Sequence, residues 1–529
     1  MSNYKKIIAF AIFLLVKLNS FGQSNDAAIK WGPELKGSKR TSVNSIIGQD
    51  DSGFYIEGRE LIKNGYAYNI ILEKLDRNMN SLAKFTVEEK DPVTKISYNS
   101  EGLSWFQNNI LLFKSTIDKD KKKNILFLQT INKKTMVPDG KLVKVAELDY
   151  DKKRATGSFI YKNSRNSDKL LVVCVPPKTK DEEEDFNDLI VFDSNLDIVW
   201  NNRLTNKYPK TVFSPIKWVV DEDGNAYILG KLYKDKIKEV SKGIQNFDYH
   251  IIAYTNKGQN TIDYEVKIPE KFVTEITFTI DDKKDIVCSG FYSKDNLRSI
   301  DGCFYLKLDP ATKKVKMTNF KEFDLDFLTE GMSEKQESKA RKKDEKGKDV
   351  ELMDYDLDKI IIKEDGGCIL IGEQYKVVSR TVSNGKSTYT TTTYYYNDII
   401  VVNISSEGRI EWAKKIPKRQ SSADGGVYLS YGLAVTKDKI RIIFNDDAKN
   451  IDPKRQGDWE KYYKGDKNGI VTLATIRMDG AITREKLFDI SDAEVVIKPT
   501  VCKQYSDEEI ILFGEKSKLD QYAIITFKD

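Results

Sequence analysis

Asp356-Leu-Asp-Lys-Ile-Ile-Ile-Lys-Glu-Asp-Gly-Gly-Cys-Ile-Leu-Ile-Gly372 reads as two strands and the turn between them. Apolar and polar residues alternate over 357–362, a tight turn follows at Glu364-Asp-Gly-Gly367, and an unbroken apolar run over 368–371 is closed by glycine. Alternation marks a strand with one buried face, Asp-Gly favours a tight hairpin, and a short continuous apolar run marks a strand buried on both faces. After a long polar excursion come a second apolar run (398–404), a turn at Ser406-Glu-Gly408, and a last strand over 409–416 carrying Trp412. Four short strands bounded by turn residues make one blade of a β-propeller.

The unit recurs. Ile29-Lys-Trp31, Ile198-Val-Trp200, Ile262-Asp-Tyr264 and Ile410-Glu-Trp412 each precede another apolar residue four positions on, a spacing that places all three on one face of a fourth strand. First hairpins run over 42–58, 215–230, 276–290 and 357–372, with weaker copies over 103–113, 157–174, 432–444 and 500–514. Each is followed by a third apolar strand, the last over 522–527. The count is about eight units spaced by roughly 55 to 80 residues, a period that indicates a propeller or a solenoid. The eighth unit lacks a fourth strand while the segment 29–35 has no first three, so pairing of the two is expected to close the ring and remove exposed edges. The core is expected to run through Ile56, Leu112, Val172, Ile228, Val287, Ile369, Ile442 and Leu512.

Val220-Asp-Glu-Asp-Gly-Asn-Ala-Tyr-Ile-Leu-Gly230 is similar to the repeat of secreted bacterial β-propellers of the SBBP type. The stretch from Tyr394-Tyr-Tyr-Asn-Asp-Ile-Ile through Ile410-Glu-Trp-Ala-Lys-Lys-Ile-Pro417 resembles an uncharacterised family of exported Bacteroidetes proteins. The repeat degrades in the second, third and seventh units, where Lys114, Cys174 and Phe444 occupy or flank the glycine position. The resemblance implies a fold and a compartment and no activity.

Composition narrows the function. Of 529 residues, 86 are basic and 81 acidic, so no domain-wide basic field is present to hold nucleic acid. Residues 1–22 read as a signal peptide, with a basic start, an apolar run over 7–16 and small residues at Ser20-Phe-Gly22. Residues 23–529 are then expected to be a single propeller domain, exported to the periplasm or secreted, not a lipoprotein and without a membrane span. Five cysteines, an odd number set mostly in apolar runs, indicate buried free thiols rather than a disulfide framework.

In a four-stranded meander, second-to-third connections and sheet-to-sheet connections emerge at the same end. The long insertions, 177–187, 233–249, 324–355, 376–397 and 446–468, are all of these two kinds, and at the opposite end only 132–141 is longer than a tight turn. Residues 324–355 are expected to be a charged, partly helical insertion with a capping box at Ser333-Glu-Lys-Gln336; residues 376–397, with Ser383-Asn-Gly385 at the tip, a protruding hairpin. Tyr394, Tyr395, Tyr396, Trp459, Tyr462 and Tyr463 are the candidate binding residues. They form either an aromatic surface for a sugar or a protein partner, or pins that hold long loops on the rim.

No catalytic constellation is evident. His250 is the only histidine and heads a third strand, no Gly-x-Ser-x-Gly or Gly-rich phosphate loop is present, and a two- or three-His zinc site is excluded by count. Neither metal nor cofactor is expected. The acidic runs at 181–185 and Asp221-Glu-Asp-Gly-Asn225 read as a solvated loop and a hairpin turn rather than calcium loops. The sequence indicates a non-catalytic binding or scaffold protein, a monomer or a subunit of an envelope complex, that engages a glycan or an envelope protein through its insertion-bearing face. The alternative is a glycan-active enzyme using paired carboxylates at a central channel.

Overall fold

The computed structural model describes residues 26–528 apart from 39, 63–67, 91–94, 153–154, 178–184, 242–243, 269, 295, 298, 349, 384–386, 424, 452–460, 464, 466–467 and 517–518. The expected signal peptide, Trp459, the tip of the 376–397 hairpin and most of the 181–185 acidic run lie outside the described residues.

The described residues are nearly all β and form eight antiparallel sheets of four or five strands, with two further two-stranded pairs. In chain order the sheets cover 41–87, 99–149, 158–205, 213–266, 272–322, 355–422, 432–489 and 496–527. The first seven are meanders of consecutive strands, apart from short strands within the connections. The eighth is completed by Ala27–Lys36, which pairs antiparallel with Leu519–Phe527. The register of that pairing shifts between Trp31 and Glu34, at Gly32-Pro33, where proline has no N–H to give.

Second strands are the buried centre of each sheet. All eight expected core positions lie on them, each at most 4% exposed. Their side chains alternate between two neighbours: Ile56 packs with Phe513 and Tyr522 of the eighth sheet, Tyr55 with Ile110 and Leu112 of the second. The remaining clusters likewise join sheets consecutive in the chain, as Val173 and Trp200 of the third meet Ile228 and Tyr254 of the fourth. Glycine recurs in these strands where another chain segment approaches closely. A Cβ on Gly230 would stand 2.2 Å from the Phe213 ring.

Fourth strands form the outer edge and alternate, as in Val315–Glu322, so the first apolar residue of the expected motif is not always buried; Ile198 is 57% exposed. The aromatic residue of the motif fastens the next sheet. Trp200 Nε1 donates to Gly224 O (2.9 Å), Tyr264 hydroxyl to Pro310 O (2.8 Å) and Trp412 Nε1 to Met478 O (2.8 Å). Trp31 departs from this and meets Phe488 of the seventh sheet edge-on at 5.2 Å.

Two expectations are corrected. The hairpin expected over 500–514 forms, but its first strand begins earlier and is split into two fragments, Val496–Ile497 and Lys503–Gln504, separated by a 3-10 turn at Pro499–Val501. Pro499 cannot donate to a ladder, and the chain turns there. His250 does not head its strand but lies within Phe247–Thr255.

Candidate functional site

The long connections leave the sheets at one end, as the meander requires. The largest elaboration is in the sixth sheet, where Cys368–Ser383 and Thr388–Ile404 pair along their length. Tyr355–Ile362 covers the outer side of the first strand only as far as Gln374; Ile410–Ile416 and Gln420–Ser422 cover the second only from Tyr394 onward. Beyond those limits, 376–383 and 388–393 have no other partner strand among the described residues and stand as a two-stranded ribbon with both edges open.

The ribbon persists without a core because most of its residues, all of 388–393 and Val377, Val378, Thr381 and Val382, are β-branched or aromatic, suited to a pleated chain. Ser379 and Thr392 hydroxyls meet across it at 3.0 Å, as do those of Thr381 and Thr390. Val377, Val382 and Tyr389 are 44%, 43% and 52% exposed. Open edges of this kind are ordinarily covered or blunted, since they offer N–H and C=O groups to any extended segment.

The root of the ribbon is set in a buried ionic network. Lys418 is completely buried, and its ammonium donates to Glu373 Oε1 (2.7 Å), Gln420 Oε1 (2.8 Å) and Tyr396 O (3.0 Å), using all three of its hydrogens. Burial pushes the Lys418 pKa down, opposed by Glu373. The second Glu373 oxygen accepts from the Ser430 hydroxyl at 2.6 Å. Arg419 pairs with Asp398, and Gln420 Nε2 donates to Asn445 O at 2.8 Å. Asn445 in turn donates to Ile497 O (2.8 Å) of the eighth sheet. Most of these links tie the crossing segment after Pro417 to the strands that carry the ribbon or to the next sheet, so the ribbon projects from a densely bonded base.

The structure brings the described candidate tyrosines together at this root. Tyr394, Tyr395 and Tyr396 are half-buried and pair with Ser422, Ser421 and Gln420. Tyr396 packs on Tyr375 (4.8 Å), and Tyr395 meets Tyr462 edge-on at 6.1 Å. Tyr463 is 3% exposed, within the core shared by the seventh and eighth sheets. The strand Gln420–Ser422 that covers these rings escaped sequence reasoning. Its one local signal is the run Lys418-Arg-Gln-Ser-Ser422, which has no turn residue before Asp424.

The helical insertion forms as expected: Glu334–Asp344 is an α-helix whose capping-box Gln336 Oε1 accepts from the Ser333 N–H (3.3 Å) and hydroxyl (2.8 Å). A shorter helix, Leu325–Thr329, precedes it and is held to the sixth sheet by Lys415 Nζ, which donates to Leu328 O at 3.2 Å.

Titratable groups elsewhere are mostly occupied. His250 Nδ1 lies 2.9 Å from Asp263 Oδ1, while Asp263 Oδ2 accepts from the Tyr208 hydroxyl (2.6 Å) and Lys207 (2.7 Å). Burial opposes ionisation of Asp263, but these hydrogen bonds together hold it below the usual carboxylate range. The five cysteines are free, and burial pushes each thiol up to about 12. On the first strands of the fifth and sixth sheets, burial raises Glu275 to about 7 and Asp358 to about 6. Asp221 forms a hairpin turn: Oδ1 accepts from the N–H groups of Asp223 and Asn225 (3.0 and 2.8 Å), Oδ2 from the Asn225 amide and Tyr227 hydroxyl (2.9 Å each). No cluster of three or more His, Cys, Asp or Glu suited to a metal ion occurs among the described residues. No described helix is long and apolar enough to cross a membrane.

No family model and no curated protein matches the chain. Among solved structures it is similar to the WD40 domain of SCAP from fission yeast, at 9% identity and TM-score 0.40 over 96% of this chain and 99% of that one. It is also similar to the β-propeller domain of the Trilobed protease from Pyrococcus furiosus, at 10% identity and TM-score 0.34 over 86% and 97%. A protein of unknown function from Dyadobacter fermentans is similar at 8% identity and TM-score 0.31 over 96% and 100%.

Proposed function

We propose that this chain is an exported, eight-bladed β-propeller, closed by the first strand and built on SBBP-like repeats, that docks an envelope protein through its insertion-bearing face. Closure is supported by the pairing of Ala27–Lys36 with Leu519–Phe527 and by the apolar cluster that joins the eighth sheet to the first. The observation that carries the docking role is the ribbon. Two open strand edges on a densely bonded ionic base suit addition of an extended segment of a partner, in which main-chain hydrogen bonds supply affinity and the exposed Val377, Val382 and Tyr389 supply side-chain contacts. A protein is favoured over a glycan because Tyr396 and Tyr463 are committed to packing at the root, leaving few free ring faces for sugars.

The test is a cross-linking pull-down from envelope extract beside a glycan array, with intact protein and a variant in which 377–392 are replaced by a two-residue Asn-Gly turn. A partner captured by the intact protein and lost with the ribbon supports the reading. A sugar signal abolished by Tyr395→Ala and Tyr462→Ala would replace it with a lectin-like module. A second reading rests on Glu275 and Asp358, whose raised pKa values suit proton transfer near neutrality. Product released from a glycan, and abolished by Glu275→Gln or Asp358→Asn, would favour a carboxylate enzyme.

A further inference from the structure

A cavity of about 370 Å³ lies between the third and fourth sheets, away from the ribbon. Ile160 and Val175 of the third sheet form one wall; Phe213, Trp218, Ile228 and Tyr254 of the fourth form the other. The crossing segment that includes Lys207, Tyr208 and Lys210 lines it too, as does Ile237, 51% exposed. Protein interiors leave few voids larger than a water molecule, and small-molecule sites begin near about 300 Å³. The cavity opens to solvent beside Ile237, and an occupant would take the apolar area of its walls out of water.

The polar groups around it set the chemistry of that occupant. Lys207 is taken up by Asp263 at 2.7 Å and Lys210 by Asp185 at 3.4 Å, so neither presents an unbalanced positive charge to an anion. Asp263 is also engaged by His250 and Tyr208, so it offers little to a cation. Asn187 donates its amide to Asn206 Oδ1 at 2.7 Å, yet its own Oδ1 has no hydrogen-bond partner among the described residues although Asn187 is only 7% exposed. A buried acceptor left without a donor costs about 1–3 kcal/mol, which a ligand donor would relieve. The Trp218 and Tyr254 rings lie within 18° of parallel at 6.3 Å, and those of Tyr208 and Phe213 within 28° at 6.1 Å, surfaces suited to a flat molecule.

We propose that this cavity is a binding site for a small, flat, uncharged apolar molecule carrying one hydrogen-bond donor, with Asn187 as its acceptor. The experiment is calorimetric titration of the full mature chain with 1-naphthol and with 1-methoxynaphthalene, which has the same body and no donor. Saturable 1-naphthol binding is expected with a Kd between about 1 μM and 1 mM, the range open to a ligand of its size. The methoxy compound should bind about tenfold more weakly, the effect of one hydrogen bond. Ile160→Trp and Val175→Phe made together, which narrow the cavity from its third-sheet wall, should weaken binding of both compounds at least tenfold while leaving Tm within a few degrees. Asn187→Leu, or Asn187→Ser if the first does not fold, should bring the two affinities together. Absence of saturable 1-naphthol binding, binding unchanged in the doubly substituted protein, or equal affinities in the unaltered protein would each overturn the proposal.

Discussion

The two ends of the sheets obey different rules. At the end opposite the insertions, hairpins close on their own side chains. Asp76 Oδ1 accepts from the N–H groups of Asn78 and Asn80 (2.8 Å each), and Asp281 Oδ1 from those of Lys283 and Asp285 (3.0 and 2.9 Å). The same local bond recurs at Asp193 and Asp221. At the insertion-bearing end the decisive bonds span long stretches of chain: Lys418 to Glu373, Ser430 to Glu373, Asn445 to Ile497. An end built from bonds a few residues apart can repeat eight times with little variation. An end built from bonds between distant segments is free to carry a different structure on each sheet, and it is there that a ribbon and a helical flap are found.

The largest effect is expected from the strand that serves both ends. Removing 26–36 takes away the eight paired positions that cover Leu519–Phe527, at roughly 0.2–1 kcal/mol each, together with the burial of Ala27. The loss should be on the order of 5 kcal/mol and expose an edge, read as a fall in Tm with light scattering from aggregates. A truncated chain that melts like the intact one would disprove closure. Next comes Lys418→Met, which strands Glu373 in the interior and should cost about 3–5 kcal/mol in chemical denaturation. Adding Glu373→Leu should recover most of that loss, because the uncompensated charge goes with it. At the other end Asp221→Ala should cost less, about 1–3 kcal/mol, since it leaves two backbone N–H groups and the buried Tyr227 hydroxyl without their acceptor. If Asp221→Ala proved costlier than Lys418→Met, the contrast between the ends would be inverted.

Glu275 gives a smaller, pH-dependent effect. Burial and the nearby carboxylates of Asp356 and Glu239 raise it from 4.5 to about 7, against the opposing charge of Lys231. The native protein therefore keeps a proton that the unfolded chain releases, and the contribution of this group to stability falls as pH rises from 4.5 to 7. Tm measured across that window should fall less steeply in Glu275→Gln than in the unaltered protein, and parallel profiles would refute the assignment. The smallest effect is expected from the ribbon itself. Among the described residues, replacing 377–392 by a turn removes mostly exposed side chains, with Val378 and Thr392 half-buried, and should change stability by no more than about 1 kcal/mol, which would separate loss of binding from loss of fold.

Much of the scaffold was legible in the sequence. The unbroken apolar runs through Val172 and Ile369 announce strands buried on both faces, the Asp-rich turns announce hairpins, and Ser333 with Gln336 announces the start of a helix. Each of these is settled by hydrogen bonds or burial patterns within a few residues, so a local reading suffices. That the described candidate tyrosines lie near one another was legible, because adjacent sheets send their insertions to one end. The half-buried state of Tyr394, Tyr395 and Tyr396 was not, because it depends on Gln420–Ser422 returning to pair with them from more than twenty residues away. The same limit hid the split first strand of the eighth sheet, the full burial of Lys418 and the cavity beside Asn187. The repeat and its tight turns are thus the sequence's own statement. Which charges are buried, which rings are covered and which gap stays open follow only when distant strands meet, since the free energy of those contacts belongs to pairs of segments and to neither segment alone.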